Sequence, residues 1–203
     1  MTLRRADAGM ARFISEFGDA ALLVPGSALV LIYLLARRAP RAALLWASTL
    51  ALCAGVTLAL KLGFRVCGAR APLLDIRSPS GHASLSATFY GSCALMAAGD
   101  KGRRARLAGL TASAALVLAV AVSRVALGLH TVNEVVTGLA VGIACTAWFG
   151  WRYFARPPAA LSLTPVIIAF GLIVLALRGS HFDIEGAIIR AADLFRADLL
   201  VCG

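Results

Sequence analysis

Apolar residues dominate six runs of this chain, at 20–36, 42–62, 83–99, 107–127, 135–151 and 161–177, and short links rich in arginine separate them. Each run approaches the roughly 20 residues that a helix, rising about 1.5 Å per residue, needs to cross a hydrocarbon core about 30 Å thick. The pattern predicts an all-α fold, a polytopic membrane bundle of about six transmembrane helices. The first run carries Pro25, which a helix tolerates near its start. No small-residue cleavage site follows it, so it reads as a retained span rather than a removable signal.

Two further segments show helical periodicity instead of continuous apolarity. Met10, Phe13, Ile14 and Phe17 share one helix face, as do Ile184, Ala187, Ile188, Ala191, Leu194 and Phe195, with charged residues opposite. Residues 1–19 and 180–203 are therefore expected to lie along the membrane surface as interfacial helices. No internal repeat stands out and the links are short, so residues 1–203 read as a single integral-membrane domain.

Composition agrees with this pattern. Of the 203 residues, 60% are hydrophobic, and the mean hydropathy of +0.85 excludes a soluble domain of this length. The net charge of +10 is almost wholly arginine, spread between and beside the runs. That distribution argues against a nucleic-acid stripe and for anionic headgroups or a phosphorylated substrate. Cys53, Cys67, Cys93, Cys145 and Cys202 show no metal-binding spacing. Three of them lie inside apolar runs, which leaves Cys67 and Cys202 as the one conceivable bridge.

The links alternate in character. Those at 37–41 (RRAPR), 100–106 (DKGRRAR) and 152–158 (RYFARPP) look like plain basic anchors, whereas every residue with plausible chemistry falls in the links at 61–82 and 123–134. Six spans put these two links on the same membrane face, where they can converge. A raw count of Lys and Arg does not orient the chain. Setting aside the candidate phosphate ligands and the interfacial helices tilts the count toward cytoplasmic plain links, with the chemistry facing outward.

The first of the two links ends in DIRSPSGHAS and leads directly into a span. Pro79 imposes an extended backbone, Ser80 can cap, and Gly81 permits close approach of a ligand. The product is a helix N-terminus with free N–H groups, suited to an anion; the plainer alternative is a capped helix with an interfacial histidine at His82. The second link reads SRVALGLHTVNEVVTG. Arg124 can hold a phosphate through two hydrogen bonds. His130 and Glu134 stand four apart on one helix face, so the carboxylate can accept the Nδ1 proton and leave Nε2 nucleophilic. A minor surface ion pair is the plainer alternative here, although ionisable residues at the edges of membrane spans are usually functional.

Taken together, PSGH at Pro79–His82 and SR followed after five residues by His, at Ser123, Arg124 and His130, resemble the signature of the type 2 phosphatidic acid phosphatase (PAP2) family. This family of membrane lipid phosphatases is related to acid phosphatases and vanadium haloperoxidases. The resemblance covers roughly residues 61–138 and departs from the signature in two places. The last acidic position is Glu134 where the family has Asp, so an aspartate there is expected to serve at least as well. A strict KxxxxxxRP is absent: Lys61 occupies the lysine position, and Arg70 is the first-choice arginine, with Arg65 and Arg77 as rivals.

What the resemblance implies is cleavage of a phosphomonoester or pyrophosphate through a phosphohistidine. His130 would be the nucleophile, Glu134 its orienting carboxylate, and His82 the proton donor and then base. Lys61, Arg70, Arg124, the Ser80 hydroxyl and the Gly81 N–H would neutralise the phosphoryl oxygens. No metal or other cofactor is implied. The partner would be a membrane lipid with a phosphate headgroup, of the undecaprenyl pyrophosphate, phosphatidic acid, phosphatidylglycerol phosphate or lipid A type, and no nucleic acid. The expected location is a bacterial inner membrane with the site facing the periplasm. A phosphotransferase using the same phosphohistidine, and a non-catalytic lipid-phosphate transporter or scaffold, remain as alternatives.

Overall fold

A computed structural model describes residues 5–66, 78–99, 101–156, 161–179 and 186. Among the described residues the regular structure is entirely helical: α1 (Arg5–Glu16), α2 (Ala20–Ala36), α3 (Pro40–Val66), α4 (Gly81–Ala98), α5 (Gly102–Ala126), α6 (Val132–Phe154) and α7 (Thr164–Ala176). Each of the six apolar runs supplies one of α2 to α7. The segment at 180–203 expected to be interfacial lies, apart from Gly186, outside the described residues, as do Cys67 and Cys202.

This is a membrane protein, and its surface shows why. Ile32, Leu44, Val122, Ile143, Ile167 and Leu175 are each more than half exposed, an apolar girdle that is unfavourable in water and cost-free against acyl chains. By length and composition alone, the stretches Asp7–Ala36, Pro40–Phe64, Gly102–Ala126 and Val132–Phe154 can cross a bilayer. The other two predicted spans differ for separate reasons. In α7 the helix has 13 residues, about 20 Å at about 1.5 Å per residue. In α4 the hydropathy is diluted by Ser84, Ser86, Thr88 and Ser92, all buried, because this helix faces protein rather than lipid.

The central position of α4 organises the bundle: α3, α5 and α6 all pack against it. Three of these four hydroxyls are satisfied, with Ser86 donating to the His82 carbonyl at 2.5 Å, Thr88 to the Ser84 carbonyl at 3.0 Å, and Thr57 of α3 meeting Ser84 at 3.0 Å, while Ser92 Oγ is buried with no hydrogen-bond partner among the described residues. Close approach of α6 depends on Gly138 and Gly142, four residues apart on one face. A Cβ on Gly138 would overlap the Ser80 carbonyl oxygen, and one on Gly142 that of Ser84, the small-residue contact that brings membrane helices together. Gly142→Leu should therefore overpack this seam and destabilise the fold by about 1–3 kcal/mol, seen as a lower thermal midpoint in detergent. An unchanged midpoint would mean that the seam is looser than the structure has it.

Short links make consecutive helices antiparallel, and cross-links identify the two ends. At the plain-link end, Arg41 donates to the Arg152 carbonyl at 2.7 Å, Tyr33 to that of Ser162 at 2.5 Å, and Arg106 stacks 3.7 Å over the Phe154 ring. The main core, including Trp46, Phe89, Met96, Phe149 and Tyr153, lies between α2, α3, α4 and α6. At the opposite end the start of α2, the end of α3, the start of α4, the end of α5 and the start of α6 come together. That end holds the candidate chemistry.

Candidate active site

The start of α6 is fixed by a capping box. Thr131 Oγ1 accepts from the Glu134 N–H at 3.3 Å, and Glu134 Oε2 accepts from the Thr131 N–H at 3.1 Å, satisfying two backbone donors reciprocally. The same Oε2 lies 2.9 Å from His130 Nδ1. Oε1 reaches across to the PSGH segment and accepts from the Ser78 N–H at 2.8 Å, while the Ser80 N–H donates to the Glu134 carbonyl at 3.0 Å. One buried carboxylate thus ties the helix cap, the histidine and the facing link together. An aspartate, a methylene shorter, could not reach all three, which alters the expectation drawn from the signature.

Ser80 caps α4, accepting from the Ala83 N–H at 3.4 Å, and is fully buried. Its hydroxyl sits behind the helix terminus, while Gly81 and His82 face a cavity of about 400 Å³. Lys61, Arg124 and His130 line the same cavity. Lys61 is buried near the end of α3, its Cε 3.7 Å from where a Gly81 Cβ would stand. Arg124, in the last turn of α5, donates from Nη1 to Ser15 Oγ at 3.0 Å. The other wall is apolar, formed by Ala20 and Val24 of α2, Ala54 and Leu58 of α3, and Leu85 of α4. Arg70 and its rival Arg77 lie outside the described residues, as does the side chain of Arg65.

Three contributors escaped the sequence reading. Ser15, Gly18 and Asp19, from the end of α1 and the turn into α2, reach the site because α1 packs on α5. Asp19 Oδ2 stands 3.5 Å from His82 Nε2. Asp19 is also the cap of α2, accepting from the Ala21 N–H at 2.8 Å. The available signal was topological: that span starts on the membrane face where the two chemical links converge.

Two cations and two histidines share this space, and their charges act on one another. The His130 pKa is held below the ordinary value near 6.5, first by burial and then by Arg124 and Lys61, against the raising influence of Glu134. His82, one residue ahead of the apolar run, is likewise lowered, by burial first and also by Arg124 and His130, with Asp19 opposing. A lowered His130 keeps its neutral, nucleophilic form into mildly acidic solution. On the phosphatase reading argued below, the acid limb of kcat/KM should accordingly fall below pH 6.5; a pH–rate profile with that limb above 6.5 would contradict the assignment.

A pocket in which fixed cations and a helix N-terminus face a carboxylate-held histidine has the charge distribution that suits an anion. The family model of the PAP2 superfamily matches residues 70–158, from the link before PSGH to the end of α6, a match consistent with a protein of that superfamily, whose members are generally phosphatases. It is also 31% identical, over 139 residues, to an uncharacterised 22.5 kDa protein in the cps region of Klebsiella pneumoniae. That alignment covers 68% of this chain and 66% of the relative, just under two thirds of the relative's length. No solved structure matches the chain.

Proposed function

We propose that the protein is an integral-membrane lipid phosphatase that hydrolyses a phosphomonoester or pyrophosphate through a phosphohistidine on His130. The observation that carries this reading is the 2.9 Å contact of His130 Nδ1 with buried Glu134, made where the histidine lines a cavity with His82, Lys61 and Arg124. With Nδ1 engaged, Nε2 attacks phosphorus and the bond to the leaving oxygen breaks as His82 gives that oxygen its proton. Water then attacks the phosphorus of the phosphohistidine, His82 takes a proton from the water, the P–N bond breaks, and phosphate leaves. Lys61, Arg124, the α4 N-terminus and, by the family resemblance, Arg70 and Ser80 neutralise the equatorial oxygens. Each well-placed donor is worth about 2.7–4 kcal/mol.

The apolar wall supports a lipid substrate. A phosphate among Lys61, Arg124 and His130 would leave its tail against Val24, Leu58 and Leu85, at the depth where acyl or isoprenyl chains begin. The deciding experiment is phosphate release from a panel of detergent-solubilised lipid phosphates with no acceptor alcohol present. Hydrolysis predicts release from at least one lipid; release that strictly requires an acceptor would make the protein a phosphotransferase.

For orientation, we propose that the site faces outward from a bacterial plasma membrane. Labelling a cysteine introduced at Lys101, with the native cysteines replaced, should then require permeabilised cells. Labelling in intact cells would invert the topology.

A further inference from the structure

The turn between α1 and α2 brings a carboxylate to His82 for which the PSGH and SR segments provide no role. We propose that Asp19 is a positioning residue for His82, forming a second histidine–carboxylate pair that orients the proton donor and stabilises its imidazolium; this rests on the phosphatase reading. The pair mirrors His130 and Glu134. The carboxylate stands 3.5 Å from Nε2 of His82, where Glu134 lies 2.9 Å from Nδ1 of His130, and in this arrangement Nδ1 of His82 would serve the leaving oxygen.

The turn is built against this histidine. A Cβ on Gly18 would stand 2.7 Å from Val120 Cγ1 and 3.1 Å from His82 Cβ, so the bare backbone packs directly on the imidazole's base. Tyr90, two turns along α4 from His82, donates its hydroxyl to the Phe17 carbonyl at 2.8 Å. One helix therefore carries the histidine and anchors the turn that holds its partner. Helix capping does not account for the charge, because Asn caps as well as Asp. Asp19 is 8% exposed, and a carboxylate so buried is retained where cationic partners compensate its desolvation.

Charged groups reach His82 from several elements, Asp19 from the turn, Arg124 from α5 and His130 from the link, with Lys61 of α3 lining the same cavity and Glu134 of α6 held on His130. The cations favour neutral imidazole and Asp19 favours imidazolium. His82 must hold its proton when the leaving oxygen departs, so the basic limb of kcat/KM reports this balance.

Asp19→Asn keeps the cap and removes the charge. In the full-length protein it should move the basic limb to lower pH, leave the acid limb set by His130 in place, and lower kcat about tenfold with little change in KM, a fraction of the hundred- to ten-thousand-fold that acid–base catalysis contributes. Asp19→Glu should restore the basic limb toward its wild-type position. A uniform loss at all pH, with both limbs unmoved, would mark Asp19 as merely structural and overturn the proposal. Histidine NMR titration in detergent, assigned with His82→Gln, decides the pairing without turnover: Asp19→Asn should lower the His82 midpoint and spare that of His130. An unmoved His82 midpoint sinks the pair even in an active enzyme. A wild type that releases phosphate from no lipid sinks the phosphatase reading while the titration still reports the pair.

Discussion

His130→Ala is expected to reduce phosphate release at least about 10⁴-fold while leaving binding of a phosphate-headgroup lipid measurable. The asymmetry follows from what the side chain does. If His130 Nε2 forms the bond to phosphorus, no other group in the cavity can replace it, and losing a nucleophile of a catalytic unit costs up to about 10⁶-fold in the best-measured hydrolases. On the proposed function, headgroup binding comes instead from Lys61, Arg124 and the α4 N-terminus, which the substitution leaves intact. Removing the imidazole also leaves Glu134 with its backbone donors at Ser78 and Thr131, so the start of α6 should hold. Lipid binding can be followed by thermal shift and turnover by phosphate release in the same preparation. Unchanged release would remove His130 from the chemistry. Loss of both binding and release, with a lowered thermal midpoint, would point to collapse of the site instead.

Much of this architecture was legible in the chain because lipid imposes a simple rule: a spanning segment must be apolar on the faces that lipid touches and must satisfy its own backbone. Hence α2 occupies residues 20–36 as the hydropathy implies, α6 encloses its run, and α5 covers its own to within one residue. The rule weakens where a helix is shielded. Ser84, Ser86, Thr88 and Ser92 made α4 look only moderately apolar, although it is the element most enclosed by protein. The residues brought to the cavity were readable for a related reason, since His82, Arg124, His130 and Glu134 interrupt apolar sequence at span ends on one membrane face. Asp19 and Ser15 also lie near a span end, but as a helix cap and a residue of an amphipathic helix they had sufficient local explanations. Only the packing of α1 on α5, a long-range contact with no spacing signature, brings them to the site. Ser80 shows the converse: its motif suggests a phosphate ligand, and the structure adds a local role for the same hydroxyl as the cap of α4.

Glu134 carries the second large expectation. Glu134→Gln should lower turnover about 10²- to 10⁴-fold, the upper end being the loss seen when the carboxylate of a Ser-His-Asp triad becomes an amide. Oε1 accepts from Ser78, and Oε2 meets both Thr131 and His130 Nδ1, so whichever way an amide is turned, its NH₂ confronts a donor. The imidazolium that develops as His130 attacks would also lose its counter-charge. Glu134→Asp keeps the charge but shortens the reach by about 1.5 Å, one carbon–carbon bond. It must release either the cap and the facing link or the histidine. A loss of about tenfold is expected, together with about 1 kcal/mol of stability if the capping box is what gives way. The family's aspartate is therefore not a better residue in this chain, because here the acidic position also closes a capping box and holds Ser78. Parallel kcat and thermal-midpoint measurements on the two variants separate these roles. Full activity in Glu134→Gln would remove the orienting role, and an Asp variant equal to wild type in both readouts would mean that the extra methylene has no use.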